Sequence, residues 1–314
     1  MNRPEGSNNR FLLGAGLAPS TKLKYSKAVS LFVTWCDEHN FSPKTFSQLD
    51  DLLTDYLHEL YEINDGKLKS LASETLYGIV SRLPRSQGKL LTAQSCIKNW
   101  MKLRPSQSYP PLTWELTVLI AIQMVRNKAL RAAIGTLLAY DCFLRINELL
   151  SLKKSDIADA GDNRIGANFA GMALRLRTTK TGKNQWVEVD NPQIRKLVRL
   201  LVLTCNEREN LFDITATNFR KLFKNVCSQL HLSSSYVPHS LRHGGATKWH
   251  LDGKSINDII QRGRWASNKS ATRYIQSGRA LLLTVHHPQE LTYAGHILSN
   301  NLLTSIKFSL PQQH

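Results

Sequence analysis

A histidine, an arginine, a tryptophan and a tyrosine stand close together in the stretch that runs from His239 to Tyr274. Pro238 predicts the start of a helix there, because proline's fixed φ suits a first helical turn. His239 and Arg242 are three residues apart on that helix, so both side chains leave from one face. Trp265 adds an indole N–H, and Tyr274 follows it by nine residues. This spacing predicts a site that gathers cations and polar donors at one point.

Such a site favours an anionic ligand, and a phosphoryl group in transfer fits it. That group spreads negative charge over its non-bridging oxygens. The guanidinium of Arg242 is a planar fork that matches phosphate oxygens in pairs. Tyr274 is a plausible nucleophile only beside cations or a base, since a phenol has a reference pKa of about 10. The His–Arg spacing alone fits an ordinary surface pair equally well, so the prediction of a site depends on the residues upstream.

Two upstream cations are candidates for the same site. Arg145 ends a strongly apolar helical pattern, which places it near the buried side, and a buried arginine needs an anion. That anion is Glu148, three residues on, in one interpretation and a ligand phosphate in the other. Lys180 lies near the tip of a predicted β-hairpin, from where it can act as a general acid. Lys183 is its rival for that role.

The charge balance points to a polyanionic partner. The chain of 314 residues has 41 Lys and Arg against 24 Asp and Glu, a formal net charge of +17. Nucleic acid is the commonest partner for such a surface, and an anionic membrane is the second choice. The basic residues are spread through both halves of the chain, and no apolar run approaches a bilayer-spanning length, which favours nucleic acid.

Other sequence features exclude several classes. The five cysteines are far apart and form no CxxC pair, which favours reduced thiols in the cytosol or nucleus and argues against zinc. The polar start MNRPEGSNNR lacks the apolar core of a secretory signal. Neither a GxGxxG motif nor a P-loop occurs, so nucleotide binding is not indicated.

Hydrophobic periodicity predicts a mainly α protein with a small β-hairpin, that is, an α+β fold in two domains. We expect the following order: a flexible tail over 1–19, a helical unit over 20–104, a linker over 105–112, a second domain over 113–280 and a C-terminal tail over 281–314. Helices are expected at about 20–38, 46–63, 68–83, 92–103, 113–125, 127–143, 146–150, 192–204, 217–230 and 256–261, with a hairpin within 172–189. Ser20 is expected to cap the first helix, and Ser267 to cap a last helix that carries Tyr274.

Basic residues outside the candidate site are predicted to contact DNA phosphates. They are Lys22, Lys24, Lys27, Arg82, Arg85, Lys89, Lys98, Lys102, Lys183, Arg220, Lys221, Lys224, Arg264 and Arg273.

With these positions in order, the second domain resembles the catalytic domain of the tyrosine recombinases, the family of lambda-type phage integrases, the Xer recombinases and Cre. The family order is Arg, hairpin Lys, His-x-x-Arg, His or Trp, then Tyr. It is matched here by LRINELLSL, RTTKTGK, HSLRHGGAT and RGRWAS, with Tyr274 at the family's spacing. The resemblance covers about 113–280. The helical unit before it resembles the family's core-binding domain by position and type.

The resemblance implies a role for each matched residue. Tyr274 attacks a DNA phosphate and forms a 3′-phosphotyrosyl link, while Arg145 and Arg242 hold the non-bridging oxygens. Trp265 donates its indole N–H, and Lys180 protonates the departing 5′-hydroxyl. His239 handles the tyrosine proton, and Glu148 and His243 occupy supporting positions. The link conserves the bond energy, so neither a metal nor another cofactor is implied.

The resemblance also implies partners and an origin. The two domains would form a clamp around double-stranded DNA, and the protein would act as a homo-oligomer, a dimer on each site and a tetramer in synapsis. The sequence from HGGATKWHL to RGRWASNKSATRYIQSGRALL is similar to that of recombinases of eukaryotic mobile elements, the DIRS/Ngaro retrotransposons and Crypton transposons. That origin implies a nuclear location, and otherwise a cytoplasmic one. A helix within 281–285 or 298–310 could pass to a neighbouring protomer.

Two alternatives remain open at this point. A type IB topoisomerase uses related chemistry but relaxes DNA without pairing sites. A domesticated, catalytically idle DNA-binding protein would keep the fold without the reaction. The competent residue type at every catalytic position argues against the idle protein.

Overall fold

A computed structural model describes residues 16–105, 109–164, 166, 168–179, 182–206, 209–276, 278 and 289–308. The chain divides into two compact units between Gln107 and Ser108. This division falls inside the stretch that the sequence predicts as a linker. In the part of the chain described, every helix is too short or too polar to cross a bilayer.

The first unit is helical, with α1 at Pro19–Glu38, α2 at Phe46–Ile63, α3 at Lys69–Arg82 and α4 at Leu91–Leu103. Helix α1 begins at Pro19 rather than behind a Ser20 cap, because proline's φ suits the first position. Asp50 on α2 is buried and accepts hydrogen bonds from the backbone N–H groups of Thr92 and Ala93, at 2.9 and 3.0 Å. A carboxylate from one helix therefore caps another.

The second unit begins with helices and continues through a small sheet. Its first helices are α5 at Trp114–Arg126, α6 at Leu130–Asp141 and α7 at Ile146–Leu150. Helix α6 begins later than its periodicity suggested, because Lys128 has a φ of +60° and turns the chain. The antiparallel strands β1 at Ile157–Ala158, β2 at Ala173–Thr178 and β3 at Lys183–Glu188 follow in that spatial order. The predicted hairpin is β2–β3, and the two-residue β1 was not predicted.

Helices complete the second unit. They are α8 at Pro192–Leu203, α9 at Ala216–Gln229, α10 at Pro238–Leu251, α11 at Ile256–Gly263, α12 at Asn268–Thr272, α13 at Gln289–Asn300 and α14 at Leu302–Phe308. Ser267 caps α12 as predicted, but this helix ends at Thr272, so Tyr274 lies in the turn beyond it. The expectation that the helix carries Tyr274 is wrong by the bounds of α12, although Arg273 keeps helical backbone angles and the Tyr274 N–H bonds to the Ala271 oxygen at 2.8 Å. The observed architecture confirms the predicted mainly α fold with a small sheet.

The C-terminal helices pack onto their own chain. Gly295 of α13 meets the backbone of Glu115 on α5, and Leu302 and Ile306 of α14 are buried in the core of the second unit. The predicted exchange segment 298–310 thus lies against its own domain over its described residues. The other candidate, 281–285, lies outside the described residues.

Two glycines bring α10 close to its neighbours. A Cβ on Gly244 would lie 2.0 Å from the carbonyl oxygen of Leu112, and one on Gly245 would lie 2.2 Å from that of Tyr140. Backbone cannot yield as a flexible side chain can. The GG pair therefore sets the distance between α10 and the end of α6.

We expect Gly245→Ala to lower the free energy of unfolding by roughly 1–3 kcal/mol, as overpacking does. Without the clash, alanine would stabilise a helix by about 0.5–1 kcal/mol, so the sign is diagnostic. Gly278→Ala is the control, because its Cβ would meet nothing within 4 Å. Urea unfolding of both variants tests this, and a Gly245→Ala protein as stable as wild type would contradict the close packing.

Candidate active site

Helix α10 supplies the first two side chains of the site. His239 and Arg242 lie in its first turns, after Pro238 at its first position. Arg242 has no exposed surface. Its guanidinium donates to the carbonyl oxygens of Phe143 and Gly263, which come from the ends of α6 and α11. The arginine therefore joins three separate segments of the chain.

Tyr274 lies beside these residues. Its hydroxyl oxygen is 3.3 Å from Nε2 of His239, and its ring stacks on that of His243 with centroids 4.6 Å apart. The guanidinium carbon of Arg242 lies 5.2 Å from the Tyr274 ring centroid and 4.6 Å from that of Trp265. Residues far apart in sequence thus meet around one point.

Arg145 and Glu148 complete the cluster from the start of α7. Glu148 is buried, and its Oε2 accepts the backbone N–H of Arg145 at 2.9 Å. Its Oε1 accepts from Nη1 of Arg145 at 2.5 Å. Arg264 lies 3.0 Å and Arg242 4.0 Å from Oε2. Three guanidinium groups therefore surround one carboxylate.

The charges of this cluster shift several pKa values. Burial raises the pKa of Glu148, but the charge of Arg264 and the hydrogen bonds from Arg145 outweigh it and leave the pKa lowered. Burial, with the charges of Arg242 and Arg145, lowers the pKa of His239 to about 4. Burial and the neighbouring arginines also lower the pKa of Arg242. The site holds excess positive charge, which an anion would neutralise.

Two buried donors point to a ligand. Nε of Arg242 and Nε1 of Trp265 have no hydrogen-bond acceptor among the described residues. A buried donor left unpaired costs about 1–3 kcal/mol, and such groups are rare in native proteins. An oxyanion that entered this cluster would supply the missing acceptors.

Lys180 lies outside the described residues, so its placement stays a prediction. The hairpin tip closes through a hydrogen bond from the Thr179 N–H to the Gly182 oxygen at 2.8 Å, and the rival Lys183 is exposed.

The predicted DNA contacts are exposed with one exception. The exposed ones are Lys22, Lys24, Lys27, Arg82, Arg85, Lys89, Lys98, Lys102, Lys183, Arg220, Lys221, Lys224 and Arg273. Arg264 is only 6% exposed, and its guanidinium bonds to Glu148 and to backbone carbonyls. The prediction of a DNA contact for Arg264 is therefore corrected, because the chain itself occupies its donors.

Residues outside the predicted site hold Tyr274 in place. The Thr247 hydroxyl donates to the Tyr274 carbonyl oxygen at 3.2 Å and accepts the Gln276 N–H at 3.1 Å. Nε2 of Gln276 lies 2.9 Å from Nδ1 of His243. In the sequence, the one indication of these contacts is that Thr247 lies one helical turn after His243 on α10. Among the described residues no cluster of His, Cys, Asp or Glu has the geometry of a metal site.

Comparisons with known proteins show which family the chain belongs to. The model of the phage integrase family matches residues 115–280. Tyrosine recombinase XerC of Chlamydia muridarum (strain MoPn / Nigg) is 25% identical over 217 residues, which cover 63% of this chain and 68% of that protein. Tyrosine recombinase XerD of Rickettsia bellii (strain RML369-C) is 28% identical over 170 residues, 48% of this chain and 54% of that one.

Two solved structures share the fold. The Tn1549 transposon integrase in complex with circular intermediate DNA has a TM-score of 0.60 at 15% identity, covering 86% of this chain and 95% of that one. A lambda integrase dimer bound to a COC' core site has a TM-score of 0.54 at 14% identity, covering 86% and 75%.

Fold and site together define a DNA-breaking and -rejoining enzyme of the tyrosine recombinase class. The chain belongs to the phage integrase family, whose model matches more than half of it. The predicted family and enzyme class are confirmed.

We expect the ring of His239 to stay neutral at pH 6, because its pKa is lowered to about 4. An unfolded histidine has a pKa of about 6.5, so this residue's contribution to stability is full above pH 6.5 and is lost as pH falls towards 4. Ring-proton NMR, with the His239 signal assigned by its loss in His239→Asn, tests this. A His239 signal that titrates near pH 6.5 would contradict the burial, and the exposed His250 of the same helix is the comparison.

Proposed function

We propose that this chain cleaves and rejoins double-stranded DNA at specific sites through a 3′-phosphotyrosyl intermediate on Tyr274. The observation that carries the proposal is the position of Tyr274, whose hydroxyl oxygen lies 3.3 Å from Nε2 of His239 and whose ring centroid lies 5.2 Å from the buried guanidinium carbon of Arg242. A nucleophile, a neutral base and a phosphate-binding cation are thereby within reach of one reacting atom.

The first step is a transesterification. The Tyr274 oxygen forms a bond to phosphorus, and the bond from phosphorus to the 5′-oxygen breaks. The phenol proton passes to Nε2 of His239, which is a free base because its pKa is lowered. Lys180 gives a proton to the leaving 5′-oxygen, a role that rests on its hairpin position and on the family resemblance. The 5′-hydroxyl of a second strand then reverses the reaction.

Charge stabilisation is the task of the two arginines and the tryptophan. Arg145 and Arg242 face the non-bridging oxygens, and the indole N–H of Trp265 donates to one of them. Arg242 has no exposed surface in the absence of DNA and lies against the rings of Trp265 and Tyr274. A scissile phosphate therefore reaches Arg242 only after one of these rings shifts.

The DNA path runs beside the site along α9. A cavity of about 610 Å³ is lined by Arg220 and Lys224 at one side and by His239 at the other. Arg220 and Lys224 are one helical turn apart and exposed, so both can reach phosphates that flank the cleaved one.

We further propose a homo-oligomer on DNA, with a dimer on each site and a tetramer in synapsis. Exchange of the C-terminal helices within it would require Leu302 and Ile306 to leave the core of their own chain. The sequence of the motifs supports an origin in a eukaryotic mobile element of the DIRS, Ngaro or Crypton type. Such an origin implies a nuclear location, and the cytoplasm is the alternative.

We expect the wild-type chain to form a covalent DNA adduct on nicked suicide duplexes drawn from the DNA that flanks its gene and from a randomised pool. Tyr274→Phe should form none, because it lacks the attacking oxygen, and Tyr293→Phe should react normally, since Tyr293 is an exposed residue of α13. A denaturing gel detects the adduct. Absence of an adduct with wild type would favour the idle DNA-binding protein, and supercoil relaxation without recombinant product would favour a topoisomerase.

We expect Arg220→Ala with Lys224→Ala to weaken binding to a 30-bp duplex at all sequences. The slope of log affinity against log salt should fall by about 2, because each lost phosphate contact removes roughly 0.9. Arg199→Ala is the control, since Arg199 is paired on the surface with Asp159 at 2.6 Å. A salt slope equal to that of wild type would place the DNA elsewhere.

A further inference from the structure

The end of helix α6 presents backbone carbonyls that no helical N–H can reach. The carbonyl oxygens of Asp141, Cys142 and Phe143 all lie at or beyond its last turn. Arginines satisfy them instead: Arg262 donates to Asp141 at 2.7 Å, and Arg264 donates to Cys142 at 3.3 Å and to Phe143 at 3.1 Å. The positive groups also suit the negative end of the helix dipole.

Arg264 differs from Arg262 because it reaches the active-site carboxylate as well. Its Nη2 lies 3.0 Å from Oε2 of Glu148, while Arg145 binds Oε1 of the same carboxylate at 2.5 Å. Arg264 also shares the Phe143 carbonyl oxygen with Arg242. One guanidinium is therefore in contact with the partners of both phosphate-binding arginines.

The backbone at this position makes an arginine costly. Arg264 follows the last residue of α11 with a φ of +54°, in the left-handed region that usually takes glycine. A side chain there costs about 1–2 kcal/mol. The bonds of the guanidinium offset this cost, and they join α11 and the adjacent Trp265 to the start of α7.

We propose that Arg264 is a positioning residue for the two phosphate-binding arginines, a role that rests on the proposed cleavage by Tyr274. Arg264 binds Oε2 of Glu148. The carboxylate then orients Arg145 through one guanidinium nitrogen, and the rest of the Arg145 guanidinium is not drawn toward Glu148. Arg264 also holds the Phe143 carbonyl oxygen against which Arg242 is set. Without Arg264, Oε2 of Glu148 loses a cation and can take a second bond from the Arg145 guanidinium, which turns that guanidinium away from the phosphate.

The test compares cleavage of a normal and of an uncharged scissile linkage. Single-turnover adduct formation is measured at saturating enzyme on a nicked duplex and on the same duplex with a methylphosphonate at the scissile position. An uncharged linkage has less need of aligned guanidiniums. Arg264→Ala should react roughly 100-fold more slowly on the phosphate, as expected for a displaced catalytic group, and bind DNA as wild type does. On the methylphosphonate the deficit should shrink to a few-fold.

Two further variants separate the side chain from the backbone. Arg264→Gly relieves the left-handed strain and should fold at least as well as Arg264→Ala, yet remain slow on the phosphate. Arg264→Lys keeps a charge beside Glu148 and should recover part of the rate, though not all, because the guanidinium bonds to four acceptors and a lysine ammonium has only three N–H groups. Arg199→Ala, which removes an arginine from a surface ion pair, should cleave at the wild-type rate.

Two results would overturn the inference while the proposed function stands. One is wild-type cleavage of the phosphate by Arg264→Ala or Arg264→Gly. The other is an equal deficit on both linkages that follows thermal stability across the variants, which would leave Arg264 a purely structural residue. A wild-type chain that forms no adduct contradicts the proposed function itself, and this inference with it.

Discussion

The structure depends on one buried carboxylate that faces three guanidinium groups. Glu148 binds Arg145 and Arg264 directly and lies 4.0 Å from Arg242. Taking such charges out of water costs several kcal/mol for each ion unless partners compensate it. A single carboxylate cannot neutralise three cations, so the cluster keeps an excess of positive charge that attracts an anion. Removing Glu148 would leave three neighbouring guanidinium groups to repel one another, which is strongly destabilising for buried charges.

The fold brings these charges together through close backbone packing. The GG pair of α10 sets that helix against Tyr140 and Leu112, which carries Arg242 to the end of α6. Gly263 leaves room for the Trp265 ring, since a Cβ at this position would lie 1.9 Å from that ring. The turn after α12 then places Tyr274 over Arg242. Glycines and helix ends thus position the side chains of the site.

Local patterns in the sequence predicted much of this site. The apolar period found the helices on either side of Arg145, Pro238 indicated the start of the helix that carries Arg242, and alternation found the β2–β3 hairpin, because these signals are local in the chain. Burial of Arg264 was not predictable in this way, since its partners lie more than 100 residues upstream. The same holds for the packing of α13 on α5, and Gln276 meets Thr247 and His243, which lie 29 and 33 residues upstream. Lys180 and the assignment of catalytic roles remain predictions.

The most direct test of the proposed cleavage by Tyr274 is the chemical identity of the covalent link between protein and DNA. Adduct from the wild-type chain would be digested with protease and nuclease, and the modified peptide sequenced by mass spectrometry. We expect a nucleotide joined through its 3′-phosphate to the oxygen of Tyr274. A nucleotide on another residue, or one joined through a 5′-phosphate, would contradict it.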